Sequence, residues 1–274
     1  MGTTYFKTIF YAPYEIKFII MNLIESYNYV DKFIVVEANV THVGEKHEYI
    51  FEQYRDEIPD YLYEKVIYIK SDLESATINC LDSKDDTQIH TNEALIWDSF
   101  ENYLELKDDD IVISTDADEV IYDRAYPLLF SQLKKYAALF LPLHCFIYRM
   151  NYLWTDNTFW GPTVAYSRYY KDKPHPHKWR YEGKFLSYMS GCHFTWQLTI
   201  EEMLQKLQTY GHHAIYGHLA DEQILKDAVE NKKYPFEPKR PFHIVEIDPV
   251  KTKYLYPKSF YLLKDKFVNL LPEN

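Results

Sequence analysis

Two aspartates one residue apart, Asp116 and Asp118, follow a short apolar run, Ile111, Val112 and Ile113, in the stretch DDDIVISTDADE at 108–119. A β-branched run bounded by polar residues reads as a buried strand. The acidic cluster falls where that strand should end. In open α/β sheets, ligands bind outside the carboxyl ends of the strands. On a regular strand, residues i and i+2 face the same way, so both carboxylates would aim at one point, with Ala117 turned aside. Two hard oxygen donors at one point suit Mg²⁺ or Mn²⁺, and such an ion keeps positions that a diphosphate can fill. The same residues would also serve as a solvated acidic turn capping the next helix.

Elements that could position this pair come from the chain order. Residues 5–11 read as a strand, 15–27 as a helix and 32–37 as a second strand. That is a βαβ unit, with a parallel pair and a right-handed crossover. Glu37 and Asn39 then stand at a strand's carboxyl end, placed either to read a nucleotide base or ribose or to cap a loop. A strand at 66–70, a polar loop at 71–90 and a helix at 90–106 lead into the central strand. The helix should bury Leu95, Ile96, Phe100 and Leu104. Beyond the acidic cluster come a helix at 125–136, a strand at 138–143 and β-rich residues at 145–154. Residues 155–190 read as an aromatic, basic patch carrying Arg168, Lys171, Lys173, His175, His177, Lys178 and Arg180, suited to a sugar acceptor, a diphosphate or a surface loop.

Thr199 and Glu202 form a capping box that should start a helix at 199–210. His212, His213 and His218 follow, near Asp221 and Glu222, without a zinc-protease spacing. Asp221 and Glu222 open a last clear helix at 221–231, and 254–271 reads as a proline-marked turn and helix. Acids in a first turn complement the helix dipole; they could equally act as a general base toward a hydroxyl. No linker or repeat divides the 274 residues, so we expect one domain, 1–274.

Composition narrows the function classes. A net charge of −11 disfavours nucleic acid as a partner. It leaves an anionic nucleotide substrate open, since a divalent cation inverts the local field. With only 7 Gly and no G-x-G-x-x-G or G-K-[ST], a dinucleotide or P-loop site is not expected. The 27 Tyr and 5 Trp offer stacking surfaces as well as core volume. Three scattered cysteines point to a reducing compartment. No apolar segment reaches the length of a membrane span, so a soluble, cytoplasmic protein without a transmembrane segment is expected.

Four stretches in order, FIVVEANVTHVGE (33–45), DDDIVISTDADEV (108–120), SGCHFTWQLTIEEMLQKL (190–207) and YPKSFYLLKDKFVNLL (256–271), resemble glycosyltransferase family 17, the family of the transferase that adds a bisecting N-acetylglucosamine. The resemblance implies an α/β fold of the GT-A type, with a mostly parallel twisted sheet flanked by helices. A nucleotide-binding half (1–120) would precede an acceptor-side half (121–274). It also implies a nucleotide-sugar donor, with a UDP-sugar the expected form, a glycan acceptor, a divalent Mn²⁺ or Mg²⁺ and inverting transfer. By position, Asp116, Ala117 and Asp118 match the family's metal–diphosphate motif, Glu37 and Asn39 its donor-side strand end, and His193 its Gly-x-His turn. Many enzymes of this fold use a late histidine as a further metal ligand, and His243 lies late enough. Cys192 stands where the family has tryptophan and Phe194 where it has cysteine, and no stem or anchor like that of the Golgi members is read here.

The expected mechanism places a cation on Asp116 and Asp118, with Asp221 or Glu222 as base. Two other classes fit the same residues. One is a non-catalytic glycan-binding protein on this fold. The other is a metal-dependent phosphatase or nucleotidyl enzyme, although phosphatases of that kind carry their Asp-x-Asp near the N-terminus.

Overall fold

The computed structural model describes residues 2–171, 173, 179–180 and 182–271. His175, His177 and Lys178 of the expected basic patch lie outside the described residues. One sheet runs through the chain. Its strands are β1 (Thr4–Ile9), β2 (Lys32–Ala38), β3 (Val66–Ser71), β4 (Ile111–Ser114), β5 (Glu119–Ile121), β6 (Ala138–Ile147), β7 (Tyr152–Tyr166), β8 (Lys184–Phe185), β9 (Gly191–Thr195) and β10 (Ile244–Glu246). They are ordered β3-β2-β1-β4-β7-β6-β9-β5, with β10 on β7 and β8 on β6. The first four strands of that order are parallel. From β7 onward the sheet is mixed, since β7 runs antiparallel to both β4 and β6 while β9 is parallel to β6.

The helical segments are α1 (Ile16–Ser26), α2 (Asp60–Tyr63), α3 (Thr87–Asp98), α4 (Tyr126–Tyr136), α5 (Ser167–Tyr170), α6 (Ile200–Thr209), α7 (His213–Tyr216), α8 (Glu222–Glu230) and α9 (Lys258–Leu262). Alternation along the strands sends side chains to opposite faces. Phe6, Phe33, Val35, Ile111 and Ile113 pack with α1, α4 and α9. Ile34, Val36 and Val112 pack on the other face with Ile96 and Trp97 of α3. Burying each large apolar side chain contributes roughly 1.5–3 kcal/mol, so these two layers hold the parallel strands and fix where their ends lie. Among the described residues no helix is long and apolar enough to cross a membrane.

The capping box is present, with Thr199 N–H donating to Glu202 Oε2 at 2.7 Å and Glu202 N–H to Thr199 Oγ1 at 3.3 Å. Three local expectations need correction. The helix read at 90–106 spans Thr87–Asp98, with a 3-10 turn at Ser99–Asn102, so Leu104 lies beyond it. Leu95 is exposed, and the buried stripe instead includes Asn92, whose amide donates to His42 O and Ile78 O. A polar residue inside a packed stripe defeats a reading based on apolar spacing. The patch read at 155–190 begins inside the 15-residue strand β7, which runs on to Tyr166. Its middle starts with the exposed Thr155 and Asp156, and Asn157 to Trp160 line a cavity.

Candidate active site

The first parallel strand and the last one end beside each other, and the cavity opens there. It has a volume of about 470 Å³ and is lined by Asp116, Ala117 and Asp118 together with Glu15, His42, Glu93, His193, Lys206 and Arg240. Tyr11, Tyr14, Trp154, Phe159, Trp160, Trp196, Tyr210 and Tyr234 supply its aromatic walls.

The aspartates are not on a strand, which corrects the expected geometry. β4 stops at Ser114, and residues 116–119 form a tight turn in which Glu119 N–H donates to Asp116 O at 3.1 Å. Every side of that turn is held. Asp116 N–H donates to Glu119 Oε2 at 2.8 Å, Asn22 of α1 donates to Ala117 O at 2.8 Å, and Phe194 N–H donates to Asp118 O at 2.9 Å. Both aspartates reach the cavity because the turn is fixed by its neighbours rather than by strand alternation.

Buried Arg180 joins the turn's two ends. Its guanidinium lies 2.9 Å from Asp116 Oδ1 and 2.7 Å from Glu119 Oε1. Burial pushes the Glu119 carboxyl up and Arg180 opposes that push. A guanidinium gripping both carboxylates keeps the turn closed. Arg180, expected to face a sugar acceptor or a diphosphate or to lie in a surface loop, is buried on the turn.

His193 Nε2 stands 3.6 Å from Asp118 Oδ1. Burial works against charge on this imidazole, but Asp118 outweighs it and raises His193 to about 10. The Asp118 carboxyl is in turn held below its usual range, because His193 overcomes the cost of burial. The pair is therefore an ion pair at neutral pH.

Other candidates sit elsewhere. Glu37 is fully buried and accepts from Ile50 N–H at 2.7 Å, Phe51 N–H at 3.1 Å and the Tyr68 hydroxyl. Burial alone would raise its carboxyl, but His47 and these donors lower it. Asn39 donates to Asp72 Oδ1 and accepts from Leu73 N–H, both at 2.8 Å. Neither lines the cavity. Glu37 reaches it only indirectly, since His47 at 3.6 Å stacks on Tyr11 with ring centroids 4.9 Å apart.

His243 Nδ1 lies 3.2 Å from Thr155 Oγ1, and His243 is not among the cavity's residues, so the structure does not bring it to the aspartate pair. Asp221 caps α8, accepting from Gln223 N–H at 2.9 Å and Ile224 N–H at 3.0 Å. Glu222 pairs with Lys226 one turn on. Both are spent on the helix and neither faces the cavity. Asp221→Ala should therefore cost about 1 kcal/mol of stability in urea denaturation, as an N-cap loss does, and leave turnover within a few-fold of the native enzyme.

The carboxylate that sequence reasoning missed is Glu15. It follows β1 on the 3-10 turn Pro13–Glu15 and lines the cavity. Its Oε2 accepts from Tyr11 N–H at 2.6 Å and Ala12 N–H at 3.2 Å. Burial raises it to about 7, against those N–H groups and Lys206. The rule that placed Asp116, the carboxyl end of a parallel strand, would have found Glu15 at the end of β1 as well.

The donor set suits a divalent cation. Asp116 keeps 39% of its side chain exposed and Asp118 18%, and both line the cavity. Four carboxylates line the cavity, Glu15, Glu93, Asp116 and Asp118, beside Lys206, Arg240 and the charged His193, while Arg180 pairs with Asp116 from behind the turn. Hard carboxylate oxygens of this kind are the donors that Mg²⁺ or Mn²⁺ prefer.

A family model described as glycosyltransferase family 17 matches residues 4–230. No curated protein matches the chain. Among solved structures, a 4-diphosphocytidyl-2C-methyl-D-erythritol synthase is 11% identical with a TM-score of 0.36, over 62% of this chain and 77% of that one. TarS from S. aureus (residues 1–349) is 11% identical with a TM-score of 0.29, over 52% of this chain and 36% of that one. An inositol-1-phosphate CTP transferase from T. maritima is 12% identical with a TM-score of 0.35, over 100% and 99%. At these scores the likeness is remote.

Proposed function

The chain belongs to glycosyltransferase family 17, and from that membership we propose a metal-dependent, inverting transferase of the GT-A type. It would move a sugar, N-acetylglucosamine in the family's pattern, from a UDP-sugar to a glycan hydroxyl. The observation that carries this reading is the fixed turn 116–118, which presents two carboxylates to a cavity walled by tryptophan and tyrosine.

In this reading residues 1–120 supply the nucleotide side and 121–274 the acceptor side of a single domain. Asp116 and Asp118 would hold Mn²⁺ or Mg²⁺, which when bound offsets the charge that develops on the leaving diphosphate. Lys206 and Arg240 add fixed positive charge at the same cavity. Aromatic faces such as Trp154, Trp160 and Trp196 give sugar rings an apolar surface on which to lie.

Glu15 replaces Asp221 and Glu222 as the base. A carboxyl raised to about 7 is poised to take a proton near neutral pH. As Glu15 accepts the acceptor hydroxyl's proton, the oxygen forms a bond to the anomeric carbon. The bond from that carbon to the diphosphate oxygen breaks on the opposite face, so the configuration inverts.

A panel of nucleotide sugars, incubated with oligosaccharide acceptors and Mn²⁺, tests this directly. Release of UDP that requires acceptor, with an inverted anomeric centre by NMR, is the expected result. Retention of configuration, or nucleotide-sugar hydrolysis indifferent to every acceptor, would count against it.

A further inference from the structure

Asp86, His90 and His212 place one carboxylate oxygen and two imidazole nitrogens within 4.8 Å of one another. The residues come from two distant parts of the chain. Asp86 is the residue before α3, and His90 lies one turn on, its N–H donating to Asp86 O at 2.8 Å. Positions i and i+4 share a helix face. His212 stands just before α7, and its Nδ1 comes within 3.1 Å of Asp86 Oδ2.

Asp86 is the informative member. It occupies a helix N-cap, yet makes no side-chain capping bond. Asp85 Oδ1 takes the Thr87 N–H instead, at 2.9 Å. Asp86 is 7% exposed, and its Oδ1 is buried without a hydrogen-bond partner. A buried carboxylate oxygen left unpartnered is costly, and retaining one calls for a ligand.

The spacing fits a metal. Two ligands at 2.0–2.1 Å from a tetrahedral ion lie about 3.3 Å apart, close to the separation of Asp86 Oδ2 and His212 Nδ1. The two histidine side chains are 42% and 52% exposed, so they have room to turn and converge. His90 Nδ1 already lies 3.1 Å from Glu93 Oε2. A carboxylate holding one ring nitrogen while the other faces the ion is the usual outer support of a metal-bound histidine. Nitrogen-rich ligation of this kind selects Zn²⁺ over Mg²⁺ or Ca²⁺.

We infer that Asp86, His90 and His212 form a second metal site, of the Zn²⁺ class, separate from Asp116 and Asp118. With three protein ligands it leaves one position for water. An ion there fastens the segment Tyr210–His212 to the start of α3. That segment and Glu93 both line the cavity, so the ion would fix one of its walls.

Zn²⁺ alone, added to the chelator-treated full chain, is the probe. Calorimetric titration should show one tight site per chain in the native protein. It should show the same site in the Asp116→Asn, Asp118→Asn double variant, and loss of it in His90→Gln, His212→Gln. Glu93→Gln should weaken Zn²⁺ about 10–100-fold.

Protection from diethylpyrocarbonate, mapped by mass spectrometry on the native chain, needs no variant to fold. Zn²⁺ should shield His90 and His212 and leave exposed His243 reactive. Unchanged labelling of His90 and His212 at saturating Zn²⁺, or tight binding that survives in the doubly substituted histidine variant, would overturn the site. Neither experiment involves a nucleotide, so failure here would leave the transferase reading untouched.

Discussion

Asp116→Asn or Asp118→Asn should lower sugar transfer about 10³-fold, the scale of losing a major electrostatic stabiliser of the leaving group, while the fold survives. Survival follows from how the turn is held. The Asp116 N–H bonds Glu119, the Ala117 carbonyl bonds Asn22 and the Asp118 carbonyl bonds Phe194, and none of these uses an aspartate side chain. Asp116 is also partly exposed, so the amide replaces one partner of Arg180 without opening the core. Asp118→Asn leaves His193 with a neutral partner, which lowers the imidazole's pKa from about 10 and costs about 1–3 kcal/mol. Glu119→Gln is the contrasting variant. Glu119 is fully buried on Arg180 and fixes the turn, so its loss should be read first in stability and only secondarily in turnover. Steady-state kinetics with circular dichroism on the three variants separates the two effects.

Glu15→Gln should reduce kcat about 10²–10⁴-fold, the range for a lost general base, with stability unchanged or higher at pH 8. The signs follow from one fact, that burial raises Glu15 to about 7. As a base it acts when ionised, so kcat/KM should rise with pH, bend near 7 and then level. For stability the sign is opposite. A carboxyl whose folded value lies above its unfolded value binds its proton more tightly in the fold, so the stability it contributes is full below about 4.5 and is lost as pH rises through about 7. Glutamine never ionises, so that pH-dependent loss disappears. The amide oxygen still accepts from Tyr11 and Ala12, which keeps the turn before α1. Lys206→Met removes a charge that lowers Glu15, and should shift the bend in the profile upward. A purely structural role for Glu15 would leave the profile's shape unchanged.

The parallel half of the sheet was legible because its inner strands β1, β2 and β4 are buried on both faces and read as largely apolar runs. The βαβ unit at 4–38 and the strand at 111–114 carry that signal directly. β7 was not legible past Trp154, since Thr155 and Asp156 are exposed, Asn157 and Thr158 line the cavity, and the four polar residues lack the alternation that marks a strand. The site divided the same way. That Asp116 and Asp118 would border a cavity could be read from their position after a buried strand. Asp221 and Glu222 misled because acids at a helix start look the same whether they cap or catalyse, and only the bonds to Gln223, Ile224 and Lys226 distinguish the cases. Glu37 looked like a ligand at a strand end but is consumed by the N–H groups of Ile50 and Phe51. His212, read alongside His213 and His218, instead meets Asp86 from 126 residues away, a pairing that no local spacing encodes.

The central claim is that Asp116 and Asp118 jointly hold the cation that binds a nucleotide diphosphate. Calorimetric titration of UDP into the native chain, with Mn²⁺ and then with a chelator, tests it most directly. The account predicts binding with Mn²⁺ that disappears with the chelator, and equally in Asp116→Asn, Asp118→Asn with Mn²⁺ present. UDP affinity in that double variant equal to the native value would contradict it.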